Sequence, residues 1–215
     1  MIKKKIFVIE DHPVVVKGLS QVINKQENLI FCGSTSEAKE SFSLIKELNP
    51  DLVTVDLSLK DSNGLELIKD LVSQFPDIKI LVISMFDENI YALRCIKAGA
   101  KGYIMKEKLT KELIKAINTV LHGKIYLSEN MSEKVINQRL NEKDGADVID
   151  LLSDRELEIF ELIGEGLTTE EIADRLNISI KTVETYKSKI KDKLNLNNFT
   201  QLIKSAVEWN IKNKK

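Results

Sequence analysis

The chain has 215 residues, and its 32 basic and 33 acidic side chains nearly cancel, leaving a formal net charge of −1. That length allows one or two domains with a sizeable core, and the charge balance confines any polyanion-binding surface to a local face. Cys32 and Cys95 lack metal-ligand spacing and no run is long and apolar enough to span a bilayer, so a reduced, soluble, cytoplasmic protein is expected.

Lys5 to Ile9 reads as a short strand with Glu10 and Asp11 at its end. Pro13 opens a helix, where its missing N–H does no harm, with Val16, Leu19, Val22 and Ile23 at helical spacing. His12, just before it, is expected to be a capping or surface histidine. A second strand, Leu29 to Cys32, precedes a helix carrying Phe42, Leu44, Ile45 and Leu48, which Asn49-Pro50 breaks. The third strand, Asp51 to Asp56, is a β-branched run that stops on a carboxylate, and Asn63-Gly64 turns the chain into a helix from Leu65 to Val72. Lys79 to Ser84 is the fourth strand, followed by a helix with Ile90, Leu93 and Ile96. Gly102 to Lys106 is the fifth, and a helix from Thr110 to Leu121 closes the alternation.

Five strand–helix alternations with short connections predict an α/β doubly wound, five-stranded parallel sheet covered on both faces. Ligands of such sheets bind beyond the strand C-termini, where strand order reverses. Glu10, Asp11, Asp56, Ser84 and Lys106 all fall at those ends. Three carboxylates brought together repel one another, and a hard cation with oxygen ligands, Mg²⁺ (or Mn²⁺), relieves this. Lys106 suits phosphate oxygens and Ser84 adds a hydroxyl donor. An aspartate facing the metal and a lysine can take a phosphoryl group as an acyl phosphate. No strong base stands ready to activate water, so the product should persist.

Glu10-Asp11-His12-Pro13, Asp56, Asn63-Gly64, Ser84, Gly99-Ala-Lys-Gly-Tyr103 and Lys106 resemble the receiver domain of two-component response regulators. The resemblance implies a metal site of Glu10, Asp11, Asp56 and the backbone carbonyl of Ser58. It makes Asp56 the phosphoacceptor, Ser84 the switch hydroxyl and Lys106 the phosphate-binding lysine. It also implies that Tyr103 is the aromatic that changes rotamer on activation; on the residues alone, Tyr103 reads equally as a half-buried strand tyrosine. Three departures bear on rate and lifetime: Leu59-Lys60-Asp61 where Met-Pro-Gly is common, Glu107 in place of a frequent proline, and bulky Met85 after Ser84.

A receiver at 1–122 is followed by a polar linker at 123–147, in which Met131, Val135, Ile136 and Leu140 can form one amphipathic helix and Lys143 to Asp147 is the expected hinge. The remainder, 148–215, reads as four short helices. Ser153-x-x-Glu156 and Thr168-x-x-Glu171 are capping boxes, Ser179 is a further N-cap, and Asn198 or Thr200 is the fourth. Charge is uneven here: nine acids against one base from Val148 to Asp174, then six bases against two acids from Arg175 to Lys193. Helices from Thr168 to Leu176 and from Ser179 to Leu194, joined by Asn177-Ile178, have helix-turn-helix form. Phasing the second puts Val183, Tyr186, Ile190 and Leu194 on its buried stripe. The opposite side presents Lys181, Thr182, Glu184, Thr185 and Ser188, with Lys187, Lys189 and Lys191 completing a set suited to a major groove of double-stranded DNA.

Leu152-Ser-Asp-Arg-Glu156, Gly166 to Ala173 and Ile178 to Tyr186 resemble the LuxR-type DNA-binding domain, so the whole chain resembles a NarL/FixJ-type response regulator. The resemblance implies phosphorylation of Asp56 by a sensor histidine kinase, homodimer formation on activation, with the last helix (Thr200 to Trp209) a frequent dimer contact, and DNA binding. Two other functions stay open. A haloacid-dehalogenase-like phosphatase shares the aspartyl nucleophile, but wants an acid two residues on, where Ser58 stands. A DNA binder indifferent to phosphorylation would not need the intact Asp11, Asp56, Ser84 and Lys106 set.

Overall fold

The computed structural model describes residues 3–59, 63–140 and 148–213. The chain divides into two compact units, Met1–Asn137 and Gln138–Lys215. The first holds β1 (Lys4–Ile9), α1 (Pro13–Asn24), β2 (Leu29–Thr35), α2 (Ala38–Leu48), β3 (Leu52–Val55) and α3 (Gly64–Gln74). These are followed by β4 (Ile80–Ser84), α4 (Glu88–Ala98), β5 (Gly102–Met105) and α5 (Leu109–Leu121), after which comes α6 (Glu129–Leu140).

All five strands pair in parallel in the order β2-β1-β3-β4-β5. β1, β3 and β4 are apolar on both faces because both faces are covered. Ile6, Val8, Leu52, Leu81, Ile83 and Ile104 form one core with Leu19 and Ile23 of α1 and Leu113, Ile117 and Val120 of α5. Phe7, Ile9, Val53, Val55 and Val82 alternate onto the other face and are equally buried. Each such side chain contributes about 1.5–3 kcal/mol relative to exposure. The chain order reverses at β1, whose two neighbours are β2 and β3, so the C-terminal ends of β1 and β3 border the crevice.

On α4, Ile90, Leu93 and Ile96 are only half-buried, and Tyr91, Ala92, Cys95 and Ala98 face inward. Apolar residues are too dense in α4 for spacing to choose a face, and the small alanines allow close approach to the sheet. The linker is expected from Gly123; the first compact unit runs on to Asn137, with Tyr126, Ser128 and Met131 buried in it. Tyr126 donates its N–H to Lys101 O at 2.9 Å and accepts from Tyr103 N at 3.1 Å, extending the sheet past β5. An exposed β5 edge offers unpaired backbone groups, and this segment satisfies them. Val135 is half-buried and Ile136 exposed on α6; the Lys143–Asp147 hinge lies outside the described residues.

The second unit contains α7 (Asp154–Gly164), α8 (Thr169–Leu176), α9 (Ile180–Lys193) and α10 (Phe199–Asn213). Both expected capping boxes form, at Ser153/Glu156 and Thr168/Glu171. Ser179 caps α9 through Thr182 N, and Asn198 accepts from Gln201 N at 2.9 Å at the start of α10. Asn177 takes a left-handed conformation (φ 50°) between α8 and α9, which asparagine tolerates and which turns one helix sharply onto the next. Leu157, Phe160, Ile172, Val183, Ile190 and Leu202 are buried at the centre of the bundle. Phe160 meets Trp209 edge-on at 5.9 Å.

Candidate phosphoacceptor pocket and nucleic-acid interface

The pocket is assembled by strand geometry. The Asp56 N–H bonds Ile9 O at 3.0 Å and the Glu10 N–H bonds Thr35 O at 3.0 Å, so both carboxylates leave the sheet side by side where its ladder ends. Asp56 is 1 % exposed, and both of its oxygens are engaged. Oδ1 accepts from Ser58 N at 3.1 Å and Ser58 Oγ at 3.2 Å; Oδ2 accepts from Lys106 Nζ at 2.8 Å. The same ammonium lies 2.9 and 2.7 Å from the two oxygens of Glu10. Burial disfavours the Lys106 charge, but hydrogen bonds to Asp56 and Glu10 outweigh it and raise its pKa above the ordinary lysine value.

Ser84 is fully buried at the end of β4, and its Oγ accepts from Phe86 N at 3.2 Å. Tyr103 is buried rather than half-buried, and its hydroxyl donates to Phe86 O at 2.9 Å. Burial pushes that phenol well above its ordinary pKa. Ser84 and Tyr103 therefore hold the same short segment after β4 from its two backbone groups. Met85, between them in sequence, is exposed. Lys60 and Asp61 lie outside the described residues.

His12 is the residue the sequence underrated. It occupies the N-cap position of α1, yet its side chain makes no capping bond there. The ring, 60 % exposed, instead sets Nδ1 2.8 Å from Glu10 Oε1 and 2.7 Å from Asp11 Oδ1. Glu10, Asp11, His12 and Asp56 thus offer ligand atoms that all lie within 4.8 Å of one another. Three carboxylates and a single nitrogen suit a hard divalent cation of the Mg²⁺ or Mn²⁺ kind.

In the second unit, α9 carries most of the expected nucleic-acid contacts on an open face. Lys181, Glu184, Thr185, Ser188 and Lys189 are exposed, and Thr182 and Lys191 half-exposed. Lys187 is placed otherwise: it is 6 % exposed and shares the buried stripe with Val183 and Ile190, while Tyr186 and Leu194 are only half-buried. Its ammonium bonds Thr169 Oγ1 at 2.8 Å and Glu184 Oε1 at 2.6 Å, and sits 3.9 Å from the centre of the Phe199 ring. Helical spacing counts lysine as surface; here partners from the starts of α8 and α10 accept it.

A parallel sheet ending in this carboxylate–lysine pocket, together with a four-helix unit presenting a polar helix of the helix-turn-helix type, defines a phosphorylation-type receiver joined to a DNA-binding module. Residues 6–118 match the response regulator receiver domain, and residues 150–206 match the LuxR family of bacterial regulatory proteins. The chain belongs to the response regulators that combine a receiver with a LuxR-type DNA-binding domain. Among its relatives is oxygen regulatory protein NreC of Staphylococcus epidermidis, 35% identical over 211 residues, 95% of this chain and 97% of the relative. The RcsB response regulator of Salmonella typhimurium is similar in structure, with 25% identity, TM-score 0.60, and coverage of 95% of this chain and 98% of that one. RcsB dimers bound to DNA match with 26% identity and TM-score 0.66, covering 94% and 97% of the two chains. Members of this family are typically regulators rather than catalysts, and none of the described helices is long and apolar enough to cross a membrane.

Proposed function

We infer that this chain is a cytoplasmic transcription regulator whose Asp56 accepts a phosphoryl group from a sensor histidine kinase. The observation that carries this is the Asp56 carboxylate, buried at the sheet's reversal point with Lys106 at 2.8 Å and Ser84 at the end of the strand beside β3. In the transfer, an Asp56 oxygen forms a bond to phosphorus as the bond from phosphorus to the donor's imidazole nitrogen breaks. The electron pair leaves with the imidazole, which takes a proton from solvent. Lys106 moves from carboxylate to phosphoryl oxygens, compensating charge throughout, and the Ser84 hydroxyl donates to another of those oxygens. Tyr103 and the segment around Phe86 follow Ser84.

Glu10, Asp11 and Asp56, with the Ser58 carbonyl, would hold Mg²⁺ or Mn²⁺, and His12 borders the same cluster. When bound, the cation offsets the mutual repulsion of the carboxylates and the charge on the transferring oxygens. Ser58 stands where a phosphatase of the dehalogenase type would carry its acid–base aspartate, which favours a persistent acyl phosphate over turnover.

Phosphorylation shifts a pre-existing equilibrium toward a homodimer that sets two copies of α9 on a two-fold DNA site. The DNA-bound RcsB dimers support this arrangement. Lys181, Lys189 and Lys191 meet phosphates, and Thr182, Glu184, Thr185 and Ser188 approach base edges.

Intact mass after incubation with acetyl phosphate and Mg²⁺ tests the acceptor. The wild type should gain one phosphoryl group, and neither Asp56→Asn nor the wild type in excess chelator should gain any. An adduct on Asp56→Asn would move the acceptor elsewhere.

A further inference from the structure

Glu184 poses a problem at a DNA surface: an acid facing phosphates is repelled unless something neutralises and orients it. The geometry around it supplies both. Lys187 Nζ lies 2.6 Å from Glu184 Oε1, Thr169 Oγ1 donates to the same oxygen at 3.1 Å, and the ammonium also bonds Thr169 at 2.8 Å. We propose that Lys187 is a positioning residue that holds Glu184 as a preoriented acceptor for the exocyclic amino group of a cytosine in the major groove. This rests on α9 being the groove-reading helix.

Three observations carry the assignment. The Lys187 side chain is 8 % exposed while that of Glu184 is 55 % exposed, so the pair has its cation inside and its carboxylate outside. For Lys187 to reach a phosphate it would leave Thr169, Glu184 and the Phe199 ring, which its ammonium covers at 3.9 Å. Glu184 Oε2 makes no hydrogen bond among the described residues, so the exposed side chain keeps one acceptor open while the other oxygen is held by Lys187 and Thr169. The hydrogen bond from Lys187 also holds the Glu184 carboxyl below its ordinary pKa, with burial opposing, so it stays an acceptor and not a donor. A carboxylate accepts from cytosine N4 and is unsuited to guanine O6 and N7, so the clamp converts a charge liability into base preference. Exposed Lys181 and Lys189 remain for the phosphate backbone.

Two measurements on the full chain test this. The first is fluorescence anisotropy on a random-sequence duplex across a salt series. The wild type and Lys187→Met should give the same slope of log affinity against log salt, whereas Lys181→Ala should flatten it by about 0.9 for one lost phosphate contact. The second is selection from a randomised duplex library. The wild type should enrich a C·G pair at one position per half-site, and Glu184→Gln and Lys187→Met should each reduce that enrichment about tenfold, with Lys187→Arg retaining more of it than Lys187→Met. Thermal melts confirm folding, and should Lys187→Met not fold, Thr169→Val takes its place, with unchanged slope and weakened preference. A slope for Lys187→Met as flat as that of Lys181→Ala overturns the proposal, as does a wild-type preference that survives loss of the clamp. Absence of salt-dependent duplex binding by the wild type would instead remove the groove-reading role of α9 itself.

Discussion

Lys106 sits between two carboxylates in a nearly closed pocket, and its ionisation is tied to folding. Its folded pKa lies above the ordinary value, as does that of the buried Tyr103 phenol. A group raised in this way adds stability that is fully present below its unfolded pKa and is lost as pH rises through the folded one. The first unit should therefore begin to lose thermal stability above about pH 10, where unfolded tyrosine and lysine titrate. Melting curves followed by circular dichroism between pH 8 and 11.5 check this, and Tyr103→Phe should shift the onset upward. A flat profile across that window would mean that neither group is coupled to folding. The pocket residues were legible because an apolar strand that ends on a carboxylate, hydroxyl or lysine is conspicuous against its own buried run. His12 and Lys187 were not legible in the same way. A histidine before proline and a lysine on a polar helix have ordinary surface uses; the folded chain turns the His12 ring back onto its own neighbours Glu10 and Asp11, and gives Lys187 partners from two other helices, Thr169 and Phe199.

Among the elements, caps and strand cores followed local rules and so matched their expected places closely. Ser153, Thr168 and Ser179 each cap the helix that their spacing predicts. The segment after α5 did not, because its partner is the free edge of β5 and no local pattern announces that pairing. Ser128 anchors it: its hydroxyl donates to Glu88 Oε1 at 2.8 Å, which also receives Lys108 at 2.9 Å, and Met131 is buried beyond. Glu88 opens α4, two residues past Phe86, so the start of α6 is tied to the segment that Ser84 and Tyr103 hold. Ser128→Ala should weaken this docking by about 1–2 kcal/mol, since Glu88 keeps Lys108. Hydrogen exchange at Tyr126 and Met131 should then rise while the amides of β1 stay protected; unchanged exchange at Tyr126 would show that the backbone pairing alone secures the segment. In the second unit α7 and α10 cross closely at Gly164, where a Cβ would fall 2.4 Å from Ala206 O and 2.4 Å from Asn210 Nδ2. Gly164→Ala forces α7 and α10 apart and should cost about 1–3 kcal/mol or more. Urea unfolding followed by the single tryptophan, Trp209 on α10, reads that loss directly, and an unchanged midpoint would contradict the close crossing.

For the molecule as a whole, chemistry and recognition reside in separate compact units, so function depends on one reporting to the other. The uneven charge along the chain fits that division. Acids gather at the pocket and along α7 and α8, while lysines concentrate on α9, which makes that helix the proposed polyanion-binding face of an otherwise neutral protein. Both units were legible in the sequence because each carries its own periodicity: strands alternating with helices, then helices with well-marked caps. In the proposed function, phosphorylation of Asp56 governs DNA binding by α9. The most direct measurement is duplex affinity at fixed physiological salt, using DNA selected by the protein, with and without prior treatment with acetyl phosphate and Mg²⁺, and Asp56→Asn in parallel. The wild type should bind about tenfold or more tightly after treatment, and Asp56→Asn should be unaffected. Equal affinity before and after treatment, in a wild type whose mass carries the phosphoryl group, would contradict phosphorylation control and leave a constitutive DNA binder.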